Sequence, residues 1–263
     1  MKIRYMKFVL FLIAGLLSSN SAFGQRIRVI GQWDMNSTVP NGTTNLVPDI
    51  NGGSGLRLVA SSPFGAPTLS ADGGGASGLT GDKALVFDDA NHDRALSDTT
   101  IWSGSYSNVS ISMKLYIDAD GLPTTMGHSA YILQTAGWDL VLSNPSGSQN
   151  RLQFTTRIGT AAYVRSQDFS AGGYTNTWLD VSCSFINGVV SITVNGTTVT
   201  SNTTASVITG SDAYLYVGER NNTSSTVPFS GKIDDLKITT ILPPGKISLM
   251  IISKMHLFAW LFN

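Results

Sequence analysis

Charge is scarce in this chain, and the scarcity excludes several kinds of partner. Only 13% of the 263 residues are charged, and the 17 basic and 17 acidic side chains cancel to a formal net charge of +0. No basic tract is longer than two residues. Nucleic acids and anionic membranes attract proteins through clustered Lys and Arg, so neither is expected as a partner. Ser, Thr, Asn and Gly must cover most of the surface instead, a composition typical of extracellular β proteins.

Cysteine occurs once, which excludes an internal disulfide. Cys183 alternates with serines in the run 181–185, a pattern that predicts a small buried residue rather than a reactive thiol. The three histidines lack zinc-like spacing, and no G-x-S-x-G motif of an α/β-hydrolase is present. The glycines of residues 73–78 match a dinucleotide fingerprint, but no strand precedes them and no helix follows, so a nucleotide partner is not expected.

Glutamate also occurs once, as Glu219. Because it follows Gly218 at a predicted strand end, we expect a solvated turn residue there. A retaining glycosidase needs two carboxyl groups about 5–5.5 Å apart, and adjacent aspartates such as Asp234 and Asp235 would point to opposite faces of a strand. The sequence therefore predicts a protein that is not an enzyme.

The two ends of the chain differ in composition from the rest. Lys2, Arg4 and Lys7 precede the apolar run 8–17, and small residues follow up to residue 24. This pattern predicts a signal peptide over residues 1–24 and a secreted or cell-surface protein. The apolar tail, residues 242–263, is shorter than the roughly 20 residues that a spanning helix needs. It is an anchor or sorting segment, an interfacial helix, or the remnant of a longer protein, and only an anchor would bring membrane association.

Between these ends, residues 25–241 read as one all-β domain. Residues 109–117 alternate strictly, with the apolar side chains at odd positions, and residues 151–158 place Leu152 and Phe154 on one face. Asn187-Gly188 and Asn195-Gly196 are typical of tight hairpin turns. Residues 40–80 have weak strand content and predict a loop-rich connection. Many short strands without intervening helices predict an antiparallel two-sheet jelly-roll sandwich.

Several short motifs in this domain resemble one family. They are Trp33-Asp34, the stretch 81–88 (GDKALVFD), the strand 107–117, Trp178 with the hairpin that ends at Asn195-Gly196, and the final stretches 215–218 (LYVG) and 229–238 (FSGKIDDLKI). In order and spacing they resemble the concanavalin A-like lectin/glucanase superfamily, in particular laminin G-like jelly rolls. The resemblance implies a fold that hosts lectin-like modules, adhesion domains and glucanases alike, so it does not define a function.

The resemblance also implies a metal. Relatives often hold a structural Ca²⁺ where the first and last strands meet, which makes Asp34 with Asp234 or Asp235 the candidate ligands here. Carboxylate and backbone oxygens are the ligands that Ca²⁺ prefers. The glucanases of the superfamily use two glutamates and an intervening aspartate on one strand, and no such run is present.

The polar faces of several predicted strands carry residues that suit sugars. Sugar-binding sites combine aromatic rings with hydrogen-bonding side chains. The candidates are Tyr116, Arg151, Gln153, Arg157, Tyr163, Arg165, Gln167, Tyr214 and Tyr216. If their strands share one sheet, these residues converge; the alternative is an ordinary solvated face, since antiparallel strands alternate polar side chains outward. Trp138 and Trp178 are expected in the core.

The first functional hypothesis is a secreted, non-catalytic module that binds a glycan or a cell-surface protein. The second is a glycan-active enzyme, either a polysaccharide lyase or a divergent glucanase. The third is a structural fragment of a larger surface protein.

Overall fold

The structure is a computed structural model that describes most of the predicted domain. The described residues are 26–59, 64–157, 162–169, 173–203, 207–219 and 228–242. The predicted signal peptide and all but the first residue of the predicted tail lie outside them. Residues 29–240 belong to one compact unit, the β sandwich described below. Residues 26–28 and 241–242 fall in a second unit and are extended strand.

The described elements are almost all strands. They are β1 (Arg26–Trp33), β2 (Val39–Asn41), β3 (Thr44–Val47), β4 (Leu56–Leu58), β5 (Thr68–Leu69), β6 (Leu85–Phe87), β7 (Ala95–Ser97), β8 (Trp102–Tyr106), β9 (Asn108–Ile117), β10 (Ser129–Gln134), β11 (Trp138–Ser143), β12 (Arg151–Thr156), β13 (Ala162–Arg165), β14 (Trp178–Ile186), β15 (Val189–Val194), β16 (Thr197–Asn202), β17 (Ile208–Ala213), β18 (Tyr216–Val217) and β19 (Gly231–Leu242). A 3₁₀ turn spans Asp89–Asn91. No helix in the described ranges has the length and apolar character needed to cross a membrane.

Two large antiparallel sheets form the sandwich, which confirms the predicted fold class. The eight-stranded sheet has the order β16-β15-β14-β9-β19-β6-β5 and also includes β1. The nine-stranded sheet has the order β13-β12-β11-β10-β18-β7-β4-β3-β2. Strands β8 and β17 form a separate two-stranded ribbon. Every strand therefore has one side available for the core and one side that faces away from it.

Alternation along the strands builds the core between the two sheets. In β9 the buried residues occupy the odd positions from 109 to 117, as predicted, and in β12 Leu152 and Phe154 are fully buried. Trp138 and Cys183 are buried as well, which confirms both predictions. Burial raises the pKa of the Cys183 thiol, so the thiol stays protonated and unreactive. Trp178 is only half-buried, so its predicted place in the core is wrong.

The segment 40–80 contributes more strand than its sequence predicts. It supplies part of β2, all of β3 and β4 in the nine-stranded sheet, and β5 in the eight-stranded sheet. These strands are two to four residues long. Such short runs are hard to recognise among glycines and serines because alternation needs more positions to become visible.

Both Asn-Gly pairs form the predicted turns. Asn187 and Gly188 have φ angles of 49° and 84° and join β14 to β15, where Ile186 pairs with Val189. Asn195 and Gly196, with φ angles of 48° and 81°, join β15 to β16. Asn tolerates the left-handed region and Gly adopts it without steric cost, so these pairs fix the register of three consecutive strands.

The left-handed conformation of Gly188 predicts a measurable stability cost for a side chain at this position. We expect Gly188→Ala to lower the free energy of unfolding by about 1–2 kcal/mol, because a Cβ is strained at that φ. Denaturation in urea measures the change. The neighbouring change Val189→Thr, at a residue that is 39% exposed, serves as the control and should stay within about 0.5 kcal/mol of the parent. Equal effects of the two changes would contradict the proposed turn constraint.

Candidate functional site

Most of the predicted sugar-binding residues lie together on the outward face of the nine-stranded sheet. Arg151 and Gln153 alternate with the buried Leu152 and Phe154 of β12, so they point away from the core. The neighbouring strand β13 pairs Arg165 with Gln153 and Tyr163 with Thr155. The same face is continued at the far side of β10 by Tyr216 of β18. Arg157 directly follows β12, Gln167 lies two residues after the end of β13, and Tyr214 lies between β17 and β18.

An exposed aromatic ring and a hydrogen-bonded chain occupy the β12–β13 end of this face. The Tyr163 ring is 49% exposed, and the Arg165 guanidinium carbon lies 4.7 Å from its centroid. Arg165 Nε donates to Gln153 Oε1 at 2.7 Å, and Gln153 Nε2 donates to Thr155 Oγ1 at 3.1 Å. These contacts fix Arg165 and Gln153 before any ligand arrives, which lowers the entropy lost on binding. We name Arg151, Gln153, Tyr163 and Arg165 the edge patch.

An ion pair borders the edge patch on β11. Arg157 Nη2 and Nε lie 2.6 Å and 2.7 Å from Oδ2 of Asp139, whose side chain is only 6% exposed. Burial alone would lower the pKa of Arg157, but attraction to Asp139 and hydrogen bonds with Asp139 and Tyr131 outweigh it and raise the pKa. Arg157 therefore neutralises a buried carboxylate. Its guanidinium group is engaged in this structural contact and is not available to bind a ligand.

A second cluster lies further along the same sheet, at the start of β7. The Arg94 guanidinium carbon is 3.6 Å from the centroid of the Phe64 ring and 5.6 Å from that of the Tyr216 ring. Arg94 is only 8% exposed, and its Nε finds no hydrogen-bond partner in the described part of the chain. Burial lowers the pKa of Arg94, while attraction to Tyr216 and Glu219 opposes the shift. No pattern in the sequence predicted a role for Arg94 or Phe64.

Glu219 is buried beside this cluster, so its predicted place as a solvated turn residue is wrong. Its side chain is 0% exposed, and His92 Nδ1 lies 3.3 Å from Oε2. The cause lies in Gly218, which has φ 89° and approaches the Phe87 ring so closely that a Cβ would fall 2.2 Å from a ring carbon. The tight approach directs the next residue inward. His92 is held by the 3₁₀ turn Asp89–Asn91 and has a left-handed φ of 51°.

Tyr116 does not join the other candidates, because β9 belongs to the eight-stranded sheet. Its ring packs against Trp178, with the ring centroids 5.6 Å apart, and Lys232 Nζ lies 4.8 Å from the Tyr116 centroid. A depression of about 240 Å³ lies on this sheet, lined by Lys114 and Asp180, which form an ion pair, and by small hydroxyl side chains. Tyr116 therefore belongs to a separate surface.

Of the three predicted metal ligands, Asp34 directly follows the end of β1, and Asp234 and Asp235 lie in β19. The described residues include no group of three or more His, Cys, Asp or Glu arranged to hold a metal ion. Asp234 is buried, and its two oxygens accept the backbone N–H groups of Ala76 and Asp235 at 2.9 Å and 2.8 Å. Asp34 accepts from the backbone N–H of Asn36 at 3.2 Å. The described carboxylates form no preformed cage, and calcium binding stays a prediction.

Burial raises the pKa of Asp234 to about 6, and repulsion from Asp235 and Asp82 adds to the shift while the two backbone hydrogen bonds oppose it. Burial and Asp82 also raise the pKa of Asp235. Asp235 lies at an irregularity in the pairing of β19 with β9, with φ 50°. Ionising Asp234 and Asp235 together therefore costs free energy in the folded state.

The comparisons with known proteins agree with this architecture. Two packed antiparallel sheets define a β sandwich. Residues 88–246 match the family described as the concanavalin A-like lectin/glucanases superfamily, and since this is more than half of the chain, the protein belongs to that superfamily. No curated protein matches the sequence.

Solved structures of similar fold are distant in sequence. The botulinum neurotoxin serotype G binding domain has a TM-score of 0.55 at 13% identity, with 88% of this chain and 51% of that chain covered. The binding domain of botulinum neurotoxin DC in complex with SialylT has a TM-score of 0.54 at 17% identity, with 86% and 51% covered. The binding domain of Paraclostridial Mosquitocidal Protein 1 has a TM-score of 0.54 at 13% identity, with 86% and 52% covered. The chain spans about half the length of these domains.

The raised pKa of Asp234 predicts how stability changes with pH. Because its folded pKa lies above the unfolded value near 3.9, the folded state binds the proton more tightly. Its contribution to stability is therefore greatest below pH 4 and is lost as the pH rises through about 6. We expect Asp235→Asn, which keeps a residue that tolerates the left-handed φ, to raise the melting temperature more at pH 7 than at pH 4. Thermal denaturation in a chelator tests this, and an equal shift at both pH values would contradict it.

The burial of Glu219 beside Arg94 predicts a large effect of removing its charge. We expect Glu219→Leu to lower the free energy of unfolding by about 3–5 kcal/mol, because the buried guanidinium loses its opposing charge. His92→Asn keeps a residue that tolerates the left-handed φ and leaves Glu219 in place, so it should cost less than about 1 kcal/mol. Chemical denaturation measures both. A Glu219→Leu variant as stable as the parent would show that Glu219 does not compensate Arg94.

Proposed function

We propose that this protein is a secreted, non-catalytic glycan-binding module that binds its ligand on the outward face of the nine-stranded sheet. The observation that carries the proposal is the edge patch, where the exposed ring of Tyr163 lies beside the hydrogen-bonded pair of Arg165 and Gln153. The apolar face of a sugar ring packs on an aromatic ring while its hydroxyl groups bond to neighbouring polar side chains. The edge patch offers both within one pair of strands.

The family and the fold support a binding role. The superfamily contains lectins as well as glucanases, and a domain of similar fold has been solved in complex with SialylT. That likeness concerns the fold, since the identity is 17%. The choice of a glycan as the ligand for this chain rests on the chemistry of the edge patch.

The absence of catalysis is part of the proposal and has its own support. The single glutamate, Glu219, is held in a buried contact with His92 and balances the charge of Arg94. Asp139 on the same face is held by Arg157. Hydrolysis of a glycosidic bond needs a proton donor and a nucleophile or base that can reach the sugar. These two carboxylates are already engaged in structural contacts.

The proposal has three further parts. The protein is secreted, and a cell-surface protein is its alternative partner. A structural calcium ion binds at Asp34, Asp234 and Asp235. The pKa values of Asp234 and Asp235 are raised by burial and, in part, by repulsion from neighbouring carboxylates. A bound calcium ion would offset this repulsion. Calcium binding of this kind would stabilise the fold rather than contact the glycan directly.

The experiment is a glycan-array screen of the full chain, run with Ca²⁺ and again with a chelator. We expect Tyr163→Ala to weaken binding about tenfold, because the sugar loses its aromatic surface, and Arg165→Ala to weaken it as well. Both residues lie at the surface, so the melting temperature should not change. Loss of binding in chelator would support a calcium ion that maintains the site.

Tyr116→Ala is the matched control, since Tyr116 is a tyrosine on the opposite sheet. Unchanged affinity of Tyr163→Ala would remove the edge patch as the site, and loss of binding in Tyr116→Ala alone would move the site to the eight-stranded sheet. Silence on the array would favour the protein partner or a structural fragment of a surface protein. Release of reducing ends or unsaturated sugars from a bound polysaccharide would establish the enzyme alternative.

A further inference from the structure

The arginines of this protein are concentrated on one surface. Seven arginines are described, and five of them lie on the outward face of the nine-stranded sheet: Arg57, Arg94, Arg151, Arg157 and Arg165. The four described lysines, Lys83, Lys114, Lys232 and Lys237, lie outside that sheet. Overall charge does not require this separation, because the whole chain is neutral.

Arginine differs from lysine in the anions it recognises. Its planar guanidinium donates two parallel hydrogen bonds to a carboxylate, phosphate or sulfate, whereas the lysine ammonium acts as a compact point charge. A surface that collects arginine and contains no described lysine is suited to an oxyanion held in a defined orientation. It is less suited to general attraction of polyanions.

Two of the five arginines are already neutralised by ion pairs. Arg57 Nε lies 3.2 Å from Asp98, and Arg157 is paired with Asp139. Both therefore contribute to the fold, and neither offers a free charge to a ligand.

The two arginines of the edge patch contact only uncharged groups in the described structure. Arg165 donates to Gln153 and lies over Tyr163. Arg151 donates through Nη1 to the carbonyl oxygen of Ser166 and through Nη2 to Gln149 Oε1, both at 3.2 Å. Both guanidinium groups are held in place by neutral neighbours, and no described carboxylate forms an ion pair with either.

Arg94 adds a third observation on the same face. It is buried between two aromatic rings and carries an Nε without a hydrogen-bond partner in the described residues. A buried guanidinium N–H without a partner costs free energy, but Arg94 is enclosed and attracted by Glu219, so the charge left for a ligand is that of the edge patch. Glu219 offsets only one positive charge of this surface.

The spacing of the edge patch suits one sugar unit with a charged substituent. Arg151 and Gln153 are two residues apart on β12, about 7 Å, and Arg165 faces Gln153 across a strand spacing of about 4.8 Å. A ring that rests on Tyr163 therefore lies next to Arg165, while Arg151 lies further along β12, four residues or about 13 Å from Thr155, which faces Tyr163.

We propose that the glycan bound by this protein is acidic, and that Arg165 and Arg151 pair with a carboxylate or sulfate group on it. The proposal rests on the proposed function, because it names the ligand class of the same face. The recognition chemistry is shared by uronic acids, sialic acids and sulfated sugars. The experiment distinguishes these sources.

The test measures affinities of the full chain for matched pairs of ligands by calorimetry at low and at moderate salt. The pairs are oligogalacturonate with its methyl ester, sialyllactose with lactose, and a sulfated oligosaccharide with its desulfated form. We expect the acidic member of at least one pair to bind tenfold or more tightly than the neutral one, with a preference that declines as salt rises. The pair that shows the preference identifies carboxylate or sulfate as the recognised group.

Variants connect the preference to the two arginines. Arg165→Gln and Arg151→Gln should each lower the affinity for the acidic member at least threefold more than the affinity for the neutral member, because only the acidic member loses an ion pair. Arg165→Lys keeps the charge but not the planar donor pair, so it should retain only part of the preference. Lys237→Gln removes a charge from the eight-stranded sheet and should leave every affinity unchanged.

Two outcomes would overturn the inference, and they separate it from the proposed function. Equal affinity for both members of every pair, with binding still lost in Tyr163→Ala, would reject the acidic ligand but keep the glycan-binding module. No binding to any member would reject both. Equally tight binding to single-stranded DNA would show that the face attracts polyanions in general, which also overturns the inference.

Discussion

Apolar contact between the two sheets is the interaction on which the rest of the molecule depends. The inward residues of β9 and β14 in one sheet and of β11 and β12 in the other, Trp138 and Phe154 among them, belong to one buried apolar cluster. At roughly 25 cal/mol for each Å² of apolar surface buried, this layer supplies the main driving force for folding. Because a strand exposes its alternate side chains on the other side, the same contact also fixes which residues form the outward faces.

The outward face of the nine-stranded sheet is partly buried, and its charged side chains therefore need partners of opposite charge. All six residues of β11 are buried, including Asp139 on the outward side. A carboxylate in such surroundings needs a partner, and Arg157 provides one. Near β7, Glu219 attracts the buried Arg94 and opposes the lowering of its pKa. The centre of the face is thus electrically satisfied, whereas the edge patch at β12 and β13 retains its positive charge.

The sequence predicts the fold and the outward placement of the edge-patch residues because both depend on local alternation. The strict pattern of β9, the residues of β12 and the two Asn-Gly turns each appear within a window of about ten residues. Gln153 and Arg165 could be placed on polar faces in the same way. Alternation does not show which strands are neighbours, however, so the sequence could not separate Tyr116 on β9 from the residues on β12 and β13.

Contacts between distant segments determine the remaining residues of the site. Glu219 is buried because Gly218 packs against Phe87, which is 131 residues away in the chain. Arg94 is enclosed by Phe64 and Tyr216, and neither neighbour is visible from the local sequence. In the sequence, Gly218 is the feature that points to the burial of Glu219, because a glycine often marks a place where the backbone approaches another group closely. Such approaches are set by tertiary packing, which a single sequence does not specify.

The position of β13 at the end of the nine-stranded sheet has a consequence for the behaviour of the protein in concentrated solution. No further described strand pairs with its outer edge, so its free backbone N–H and C=O groups could serve as a template for a second copy of the chain. Tyr163 and Arg165 lie on this strand, and two guanidinium groups of like charge would approach each other if two such edges met. The arginines of the edge patch therefore oppose edge-to-edge aggregation, and a protein that gave them up would lose solubility as well as any ligand they hold.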